Sequence, residues 1–545
     1  MAGVAVLALL HGAALTVLVM TEVDWIAKAA FLLAWGALNF AWLAVLRRPI
    51  LAAFLSLEIV VALVMLSRFK HDKLWMTVDF VDILIIDQDT AQFLLAALPG
   101  LRMPLALTAA GTLIALAVSW RCDPYRLARR AGAAGTLICV GALTALALWQ
   151  PTNLDEDFLG RNYVSKFFRT GVEAIYERIA HGYLDAAPDQ AEHLAAPAAC
   201  HPARKLPHII LLHDESSFDI TAAPGINVPA GYRQHFVSFD GKARKFIVEG
   251  VGGPSWFTEY NVLTGLSVRS FGRFATSVTR MAAGHVMRGL PHSLHRCGYT
   301  SVSLYPFYGS FLGSRAFQTS TGIDRYLDMT DLGTSNFEAD SYYFDQATQI
   351  IEKQRNKGPL FLYVYTVANH FPWDTRFRPG LTPDWKSLGN ASDVDEYIRR
   401  QGLSAQDYKQ FLQRLAREFP DDSFVIVRYG DHQPGFSPRI LDRSLDEQAV
   451  ARRLKTFDPI YFTTYYAIDA VNFMPADVSA ALDRLDAPYL PLVILEAAGV
   501  PLDPTFVEQR KILSRCAGRF YGCAHGVEAR RFNRLLIQAG MIRGL

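Results

Sequence analysis

Five long apolar segments, all before residue 150, constrain the fold of this chain more than any other feature. They cover residues 3–20, 29–46, 50–67, 103–120 and 132–149. Each is long enough for a helix to cross the roughly 30 Å hydrocarbon core of a bilayer. A cleavable signal peptide would explain only one of them, and the first segment lacks a basic start and a small-residue cleavage pattern. The sequence therefore predicts a five-span membrane domain over residues 1–150.

The charged residues between these segments indicate how the chain crosses the membrane. Basic side chains collect in the second and fourth connections, and acidic ones in the first and third. The basic residues are Arg47, Arg48, Arg121, Arg126, Arg129 and Arg130, and the acidic ones are Glu22, Asp24, Asp79, Asp82, Asp87 and Asp89. Because positive charge stays on the cytoplasmic side, the N-terminus is predicted inside and everything after residue 149 outside.

Two features of the membrane part need their own explanation. Glu58 lies in the middle of the third segment, where a carboxylate is costly and often functional; a protonated or helix-paired Glu with an assembly role is the alternative. Residues 74–98 are too acidic to span the bilayer and too apolar for a free loop. We expect them to form a helix on the outer membrane surface, anchored by Trp75.

The composition changes after residue 150, which predicts two further regions. Residues 151–206 are polar and mixed, and we expect a helical stalk and linker there, with a helix over residues 164–183. From residue 207 to 545, β-type runs at 208–213, 246–249, 301–305, 360–366 and 424–429 alternate with helical patterns at 255–264, 282–297, 341–356 and 404–419. This alternation predicts an α/β domain with a largely parallel sheet. The formal net charge of only +2 argues against a nucleic-acid partner.

Four of the six cysteines fall in the part predicted to lie outside the cytoplasm, where disulfides form. They are Cys200, Cys297, Cys516 and Cys523. Of the three possible pairings, the short spacing favours Cys516–Cys523, which leaves Cys200–Cys297. Buried free thiols are the alternative.

Chemically capable side chains follow directly after four of the predicted strands. Glu215, Ser255, His370 and the pair Asp431-His432 occupy these positions. Because ligands gather at the carboxyl ends of parallel strands, we expect these side chains at one edge of the sheet. Each alone has an ordinary explanation, such as a helix cap or a satisfied histidine, but their joint occurrence favours a functional site.

Ser255 follows a Gly252-Gly253-Pro254 turn and begins a helical pattern. At that position its oxygen would lie near unpaired backbone N–H groups and the positive end of the helix dipole, which suits attack on an anionic phosphate. An ordinary Ser N-cap is the alternative. Glu215, Asp431, His432 and the Ser255 oxygen together make a ligand set for one divalent cation, Mn²⁺ or Zn²⁺. His370 and a downstream Arg could then contact the phosphoryl oxygens.

These motifs resemble the sulfatase-like branch of the alkaline phosphatase superfamily, specifically the lipoteichoic acid synthase and phosphoglycerol transferase group. The resemblance extends over nearly the whole chain and implies a five-helix transmembrane N-terminal domain followed by an extracytoplasmic α/β sulfatase-like domain.

Residue by residue, the resemblance assigns roles to the candidate site. It implies that Glu215, Asp431 and His432 bind the metal, and that Ser255 takes the place of a nucleophilic Thr. Glu259 matches the Glu that follows the family's nucleophile by four residues. Arg315 and His370 match the Arg and His that bind substrate in the family. Gly313 departs from the aromatic residue often found two positions before the Arg.

The resemblance implies a transferase in the bacterial cytoplasmic (inner) membrane. It would move a phosphoglycerol-type group from phosphatidylglycerol, a phospholipid donor, to an extracytoplasmic glycan or lipid acceptor through a Ser255-linked intermediate. One alternative is a phosphoethanolamine transferase acting on lipid A or a periplasmic glycan, and another is an inactive sulfatase-fold sensor or scaffold. The residues from Ser255 to Glu259 do not fit the C/S-x-P-x-R signature of sulfatases, which disfavours sulfate ester hydrolysis.

Overall fold

The computed structural model describes residues 2–85, 88–97, 99–152, 158–189, 191–196 and 199–545. The chain divides into two compact units. The first comprises Met1–Ile86, Leu98–His181 and Ser444–Asp458, and the second comprises Asp87–Ala97, Gly182–Arg443 and Pro459–Leu545. The predicted stalk over residues 151–206 is thus shared between the two units.

In the described part of the first unit, five helices are long and apolar enough to cross a membrane. They run Ala2–Thr21, Trp25–Leu46, Pro49–Leu74, Arg102–Cys122 and Arg129–Trp149. These helices confirm the five predicted segments. Asp24 begins the second helix by accepting the Ala27 N–H at 2.8 Å, and Pro49 stands in the first turn of the third, where its missing N–H costs nothing.

Glu58 has a partner on a neighbouring span. The Thr112 hydroxyl donates to its Oε2 at 3.1 Å. This hydrogen bond joins helices Pro49–Leu74 and Arg102–Cys122, which agrees with the helix-paired alternative for this carboxyl group.

A further helix, Tyr163–Ala180, is tied to the loop after the first span. The buried carboxylate of Glu22 accepts the Val164 N–H at 3.2 Å and the Ser165 hydroxyl, and the Val23 N–H donates to the side chain of Asn162 at 2.9 Å. Burial raises the pKa of Glu22 to about 7. These bonds at the helix N-terminus explain why this helix belongs to the first unit.

The connection between the third and fourth apolar helices contains two separate helical segments. Residues 74–98 are not one surface helix; they contain the 3₁₀ helix Phe80–Ile85 and the helix Gln88–Ala97, while Ile86, Asp87 and Leu98 lie outside the described residues. The Asp79 side chain accepts the N–H groups of Val81 and Asp82 and so starts a new turn.

Helix Glu447–Lys455, although late in the chain, belongs to the first unit, where Glu447 accepts the Gly160 N–H at 3.0 Å.

The second unit is built around an eight-stranded sheet. In chain order its strands are β1 His208–Asp214, β2 Arg244–Ile247, β3 Thr300–Leu304, β4 Arg325–Leu327, β5 Leu360–Tyr365, β6 Phe424–Gly430, β7 Thr463–Val471 and β8 Arg484–Asp486. Their spatial order is β4-β3-β5-β1-β6-β7-β2-β8. Only β7 pairs antiparallel, with β6 and β2, so the other seven described strands run in one direction.

Every residue of β1, β5 and β6 is buried, as expected for central strands of a parallel sheet. The five predicted strands are confirmed to within two residues at each end. The sequence reasoning missed β4 and β8, which are only three residues long, and the antiparallel β7.

Helices connect these strands and follow the last of them. The longer ones are Ser255–Thr264, Asp340–Gln354, Ser392–Glu418, Leu490–Ala498, Pro504–Cys516 and Val527–Gln538, and the shorter ones are Val278–Ala282, Leu290–His295, Ser314–Ser320, Ser437–Leu441 and Pro459–Phe462. Ser255–Thr264 agrees with the prediction. The single helix predicted over residues 282–297 is wrong, because Gly284 has a φ of +75° and the chain turns there before Leu290.

Two disulfides, Cys200–Cys297 and Cys516–Cys523, lie in the second unit. They confirm the pairing that the short spacing favoured. Cys139, in the last apolar helix, is free.

Candidate catalytic and metal site

The predicted site residues follow strands that end at the same edge of the sheet. Glu215 comes directly after β1 and Asp431 directly after β6, and these strands are neighbours. Ser255 follows β2, which runs in the same direction although β7 lies between β2 and β6. A parallel bridge between Gly252 and Pro434 holds the turn before Ser255 against the loop after His432.

Four of the predicted side chains are in mutual contact. Ser255, the first residue of its helix, places Oγ 3.3 Å from Oε2 of Glu215 and 3.2 Å from Nε2 of His432. The same Nε2 lies 3.5 Å from Oε1 of Glu215 and 3.3 Å from Oδ2 of Asp431. Ligands 2.0–2.3 Å from one tetrahedral metal ion are about 3.3–3.7 Å apart. The separations of these atoms fit one cation.

The electrostatics of the cluster also suit a cation. Burial alone would raise the pKa of Asp431, but His432 and His213 lower it to about 2. Burial alone would lower the pKa of His432, but Asp431 and Glu215 raise it to about 9. The pKa of Glu215 is lowered, against burial and the charge of Asp431, by His432 and His370. Both carboxylates are therefore ionised at neutral pH.

One buried oxygen of the cluster has no hydrogen bond. Oδ1 of Asp431 accepts the N–H groups of Ser216 and His432 at 2.7 and 2.9 Å, whereas Oδ2 accepts none from the described residues. A buried acceptor without a donor is costly, and a metal ion would satisfy it. His213, a second imidazole beside this oxygen, also has a ring nitrogen within 4.8 Å of the carboxylate oxygens of Glu215 and Asp431.

Residues that sequence reasoning did not select also fix the carboxylates. The Tyr365 hydroxyl donates to Oε2 of Glu215 at 3.0 Å, and the Ser216 hydroxyl donates to Oε1 at 2.8 Å. Tyr365 is the last residue of β5, so a search restricted to residues after the strands passes over it. Its position at the end of β5, the strand that pairs with β1, could have indicated that it lies near Glu215.

Gly430, the last residue of β6, is required by a close backbone approach. A Cβ at this position would lie 1.8 Å from the carbonyl oxygen of Ser217. Only glycine allows the segment after β1 to pass this close to the end of β6. The contact keeps the backbone that carries Glu215 beside the backbone that carries Asp431.

Thr258 and Glu259 face partners other than the candidate cation. Thr258 is fully buried, and its hydroxyl donates to the carbonyl oxygen of Asp431 at 2.6 Å. Glu259 accepts hydrogen bonds from Gln318 at 2.9 Å and Ser314 at 3.1 Å, and burial raises its pKa to about 7. Both side chains tie the Ser255 helix to its neighbours.

The two predicted substrate-binding residues lie outside the cluster of four. Arg315 is 44% exposed, and Nη2 contacts Asp328 at 2.7 Å and Asp331 at 2.9 Å; none of its contacts with described residues reaches the cluster. His370 is buried, its Nδ1 lies 2.7 Å from the carbonyl oxygen of Phe371, and burial lowers its pKa. Their roles stay predictions.

The second unit thus combines a mostly parallel α/β sheet with a Glu/Asp/His cluster beside the Ser that begins a helix. Residues 257–460 match the family model described as Sulfatase. The second unit therefore contains a sulfatase-like domain. The matched residues include Arg315, His370, Asp431 and His432.

Sequence relatives include a lipoteichoic acid synthase of Staphylococcus saprophyticus, 27% identical over 191 residues that cover 34% of this chain and 28% of the relative. Lipoteichoic acid synthase 2 of Bacillus subtilis is 27% identical over 161 residues, or 28% of this chain and 23% of the relative. The chain thus spans about a quarter of the length of these curated relatives.

Solved structures with a similar fold include the phosphoglycerol transferase GacH of Streptococcus pyogenes in complex with sn-glycerol-1-phosphate. It is 15% identical with a TM-score of 0.49, and the match covers 63% of this chain and 88% of that chain. Another is the lipooligosaccharide phosphoethanolamine transferase A of Neisseria meningitidis, with 13% identity, a TM-score of 0.44, and 88% and 96% covered.

We expect Gly430→Ala to destabilise the second unit by about 1–3 kcal/mol or more, because the added methyl group must displace the Ser217 carbonyl. Gly380→Ala is the matched control, since a Cβ at Gly380 meets nothing within 4 Å. Thermal unfolding of the purified protein in detergent measures the difference. Equal melting temperatures for the two variants would contradict the close approach.

Proposed function

We propose that this chain is a membrane-bound, metal-dependent phosphotransferase that moves a phosphoglycerol-type group from phosphatidylglycerol to an extracytoplasmic glycan or lipid acceptor. The observation that carries the proposal is the contact of Ser255 Oγ with Glu215 and His432, at 3.3 and 3.2 Å, at the start of a helix. The lipoteichoic acid synthases among the relatives support a phosphoglycerol donor.

Glu215, Asp431, His432 and the Ser255 oxygen would hold one divalent cation, Mn²⁺ or Zn²⁺. Two carboxylates, an imidazole and a hydroxyl form a mixed oxygen and nitrogen donor set, which suits these ions better than soft metals. When bound, the cation would stabilise the Ser255 alkoxide and offset the negative charge of the phosphate.

Ser255 then acts as the nucleophile in two balanced steps. Its Oγ forms a bond to phosphorus, the hydroxyl proton is released, and the bond from phosphorus to the diacylglycerol oxygen breaks; that oxygen leaves with a proton as diacylglycerol. An acceptor hydroxyl then bonds to phosphorus, and Ser255 leaves and regains a proton. The positive end of the helix dipole, at Ser255, favours the negative charge that develops on phosphate oxygens in both steps.

Arg315 and His370 would bind the substrate. The planar guanidinium of Arg315 suits two phosphate oxygens, and Asp328 and Asp331 hold it in place until the substrate arrives. Its partial exposure makes it accessible to a headgroup. Nδ1 of His370 faces a carbonyl oxygen, which can only accept, so Nδ1 is the protonated ring nitrogen.

We also propose that the second unit lies outside the cytoplasmic membrane. Arginines in the second and fourth connections support this orientation. Two disulfides in this unit suit an oxidising compartment. A phospholipid of the outer leaflet would then be on the same side of the membrane as the site.

The proposal predicts that the full-length protein releases diacylglycerol from labelled phosphatidylglycerol, and more slowly from phosphatidylethanolamine. Ser255→Ala should lower this rate by about 10³-fold or more, because the nucleophile is lost, and Ser255→Thr should keep measurable activity. Thr258→Val tests the rival hydroxyl: it removes the bond to the Asp431 carbonyl but leaves Ser255 intact, so it should lower the rate much less than Ser255→Ala does.

Activity that survives in Ser255→Ala but is lost in Thr258→Val would refute the assignment of the nucleophile. Release of diacylglycerol from phosphatidylethanolamine alone would show that the chain is a phosphoethanolamine transferase. No release from either lipid would favour the inactive scaffold.

Arg315→Ala should leave the bound metal unchanged and strongly reduce turnover, because Arg315 contacts none of the four proposed ligands. Arg325→Ala is the control, as it removes another exposed arginine at the start of β4. Metal content by atomic emission and diacylglycerol release are the two readouts. Loss of metal in Arg315→Ala would show that this residue supports the cation site.

A further inference from the structure

His213 is a buried imidazole at the site to which no role has been given. It is fully buried in β1, two residues before Glu215. Its Nε2 lies 3.0 Å from Oδ2 of Asp431, and neither of these two buried atoms forms a hydrogen bond with a described residue.

The register of the sheet holds the ring of His213 in this position. His213 pairs with Tyr365 of β5 and Tyr429 of β6, and paired residues of neighbouring strands project from the same face of a sheet. The imidazole stacks on the Tyr365 ring with centroids 3.6 Å apart and planes at 14°. Its Nδ1 lies 2.8 Å from the Tyr429 hydroxyl and 3.1 Å from that of Tyr363.

The neighbours of the two ring nitrogens decide where the hydrogen lies. A neutral imidazole has one donor and one acceptor nitrogen, a carboxylate can only accept, and a tyrosine hydroxyl can donate or accept. A hydrogen on Nε2, which lies 3.0 Å from Oδ2 of Asp431, would give both of these otherwise unpaired buried atoms a partner, and Nδ1 would then accept from tyrosine. A nitrogen that carries a hydrogen has no lone pair to offer a cation.

His432 has the opposite arrangement. Its Nδ1 lies 2.9 Å from the carbonyl oxygen of Gln433, which can only accept, so Nδ1 carries the hydrogen. In the neutral ring the lone pair of Nε2 then faces Ser255, Glu215 and Asp431. The two imidazoles beside Asp431 therefore have different roles: His432 can bind a cation, and His213 can donate a hydrogen bond to Asp431.

We propose that His213 is a positioning residue that donates Nε2–H to Oδ2 of Asp431 and so fixes this carboxylate toward the cation. The inference rests on the proposed function. Tyr365 couples the two carboxylates, because its ring stacks on His213 and its hydroxyl donates to Glu215. Oδ2 has two lone pairs, so it can accept from His213 and bind a cation at the same time.

The test is the affinity of the full-length, chelator-stripped protein for Mn²⁺, measured by electron paramagnetic resonance titration. Residues that orient metal ligands typically change metal affinity by about 10–100-fold, and we expect His213→Leu to weaken binding by that factor. His213→Gln should remain within a few-fold of wild type, because its amide can still donate.

His208→Leu is the matched control. His208 is also a buried histidine of β1, at the opposite end of the strand, where its Nδ1 accepts the Leu360 N–H at 3.1 Å. Its loss should leave Mn²⁺ affinity unchanged. If His213→Leu does not fold, His213→Asn replaces it: the shorter amide cannot reach Asp431 as Nε2 does, so it should bind Mn²⁺ at least about 10-fold more weakly than His213→Gln.

X-ray absorption of the Zn²⁺-loaded protein separates a donor from a ligand. We expect one imidazole ligand in wild type and in His213→Gln, and two in wild type would overturn the inference. Wild-type affinity in the Leu or Asn variant would also overturn it while leaving the proposed function intact. If the wild-type protein binds neither Mn²⁺ nor Zn²⁺, the proposed function itself fails.

Discussion

The repulsion between two buried carboxylates, Glu215 and Asp431, is the constraint on which the site depends. Both are withdrawn from water, where an unpaired charge is costly, and both are ionised because imidazoles adjoin them. Nearly every contact around them supplies a donor or a positive charge. A divalent cation held by these oxygens, His432 and Ser255 would remove the repulsion and place positive charge beside the proposed nucleophile.

The backbone provides the precision that such a site needs. Three independent contacts fix the segments that carry the ligands: the approach of Ser217 to Gly430, the bridge between Gly252 and Pro434, and the bond from Thr258 to the Asp431 carbonyl. Each contact joins the end of β6, or the segment that follows it, to another part of the site: the segment after β1, the turn before Ser255, or the Ser255 helix. The His213 ring adds a side-chain link of the same kind from inside β1.

Features that depend on local sequence could be predicted, and features that depend on neighbouring strands could not. The five spans and the five longer parallel strands follow from apolar length and β-type runs, and Glu215, Ser255, Asp431 and His432 were selected because they follow strands. His213 and Tyr365 lie within strands, and their direction is set by the register. The antiparallel β7 and the membership of helix Glu447–Lys455 in the first unit are likewise set by tertiary packing.

A covalent intermediate on Ser255 would distinguish the proposed mechanism from direct transfer to the acceptor, and it can be trapped. The full-length protein would be incubated with phosphatidylglycerol labelled in its headgroup glycerol, without acceptor, quenched in acid, and mapped by peptide mass spectrometry. We expect a labelled phosphoglycerol group on Ser255 and none in Ser255→Ala. Label on Thr258, or diacylglycerol release with no label on the protein, would contradict this mechanism.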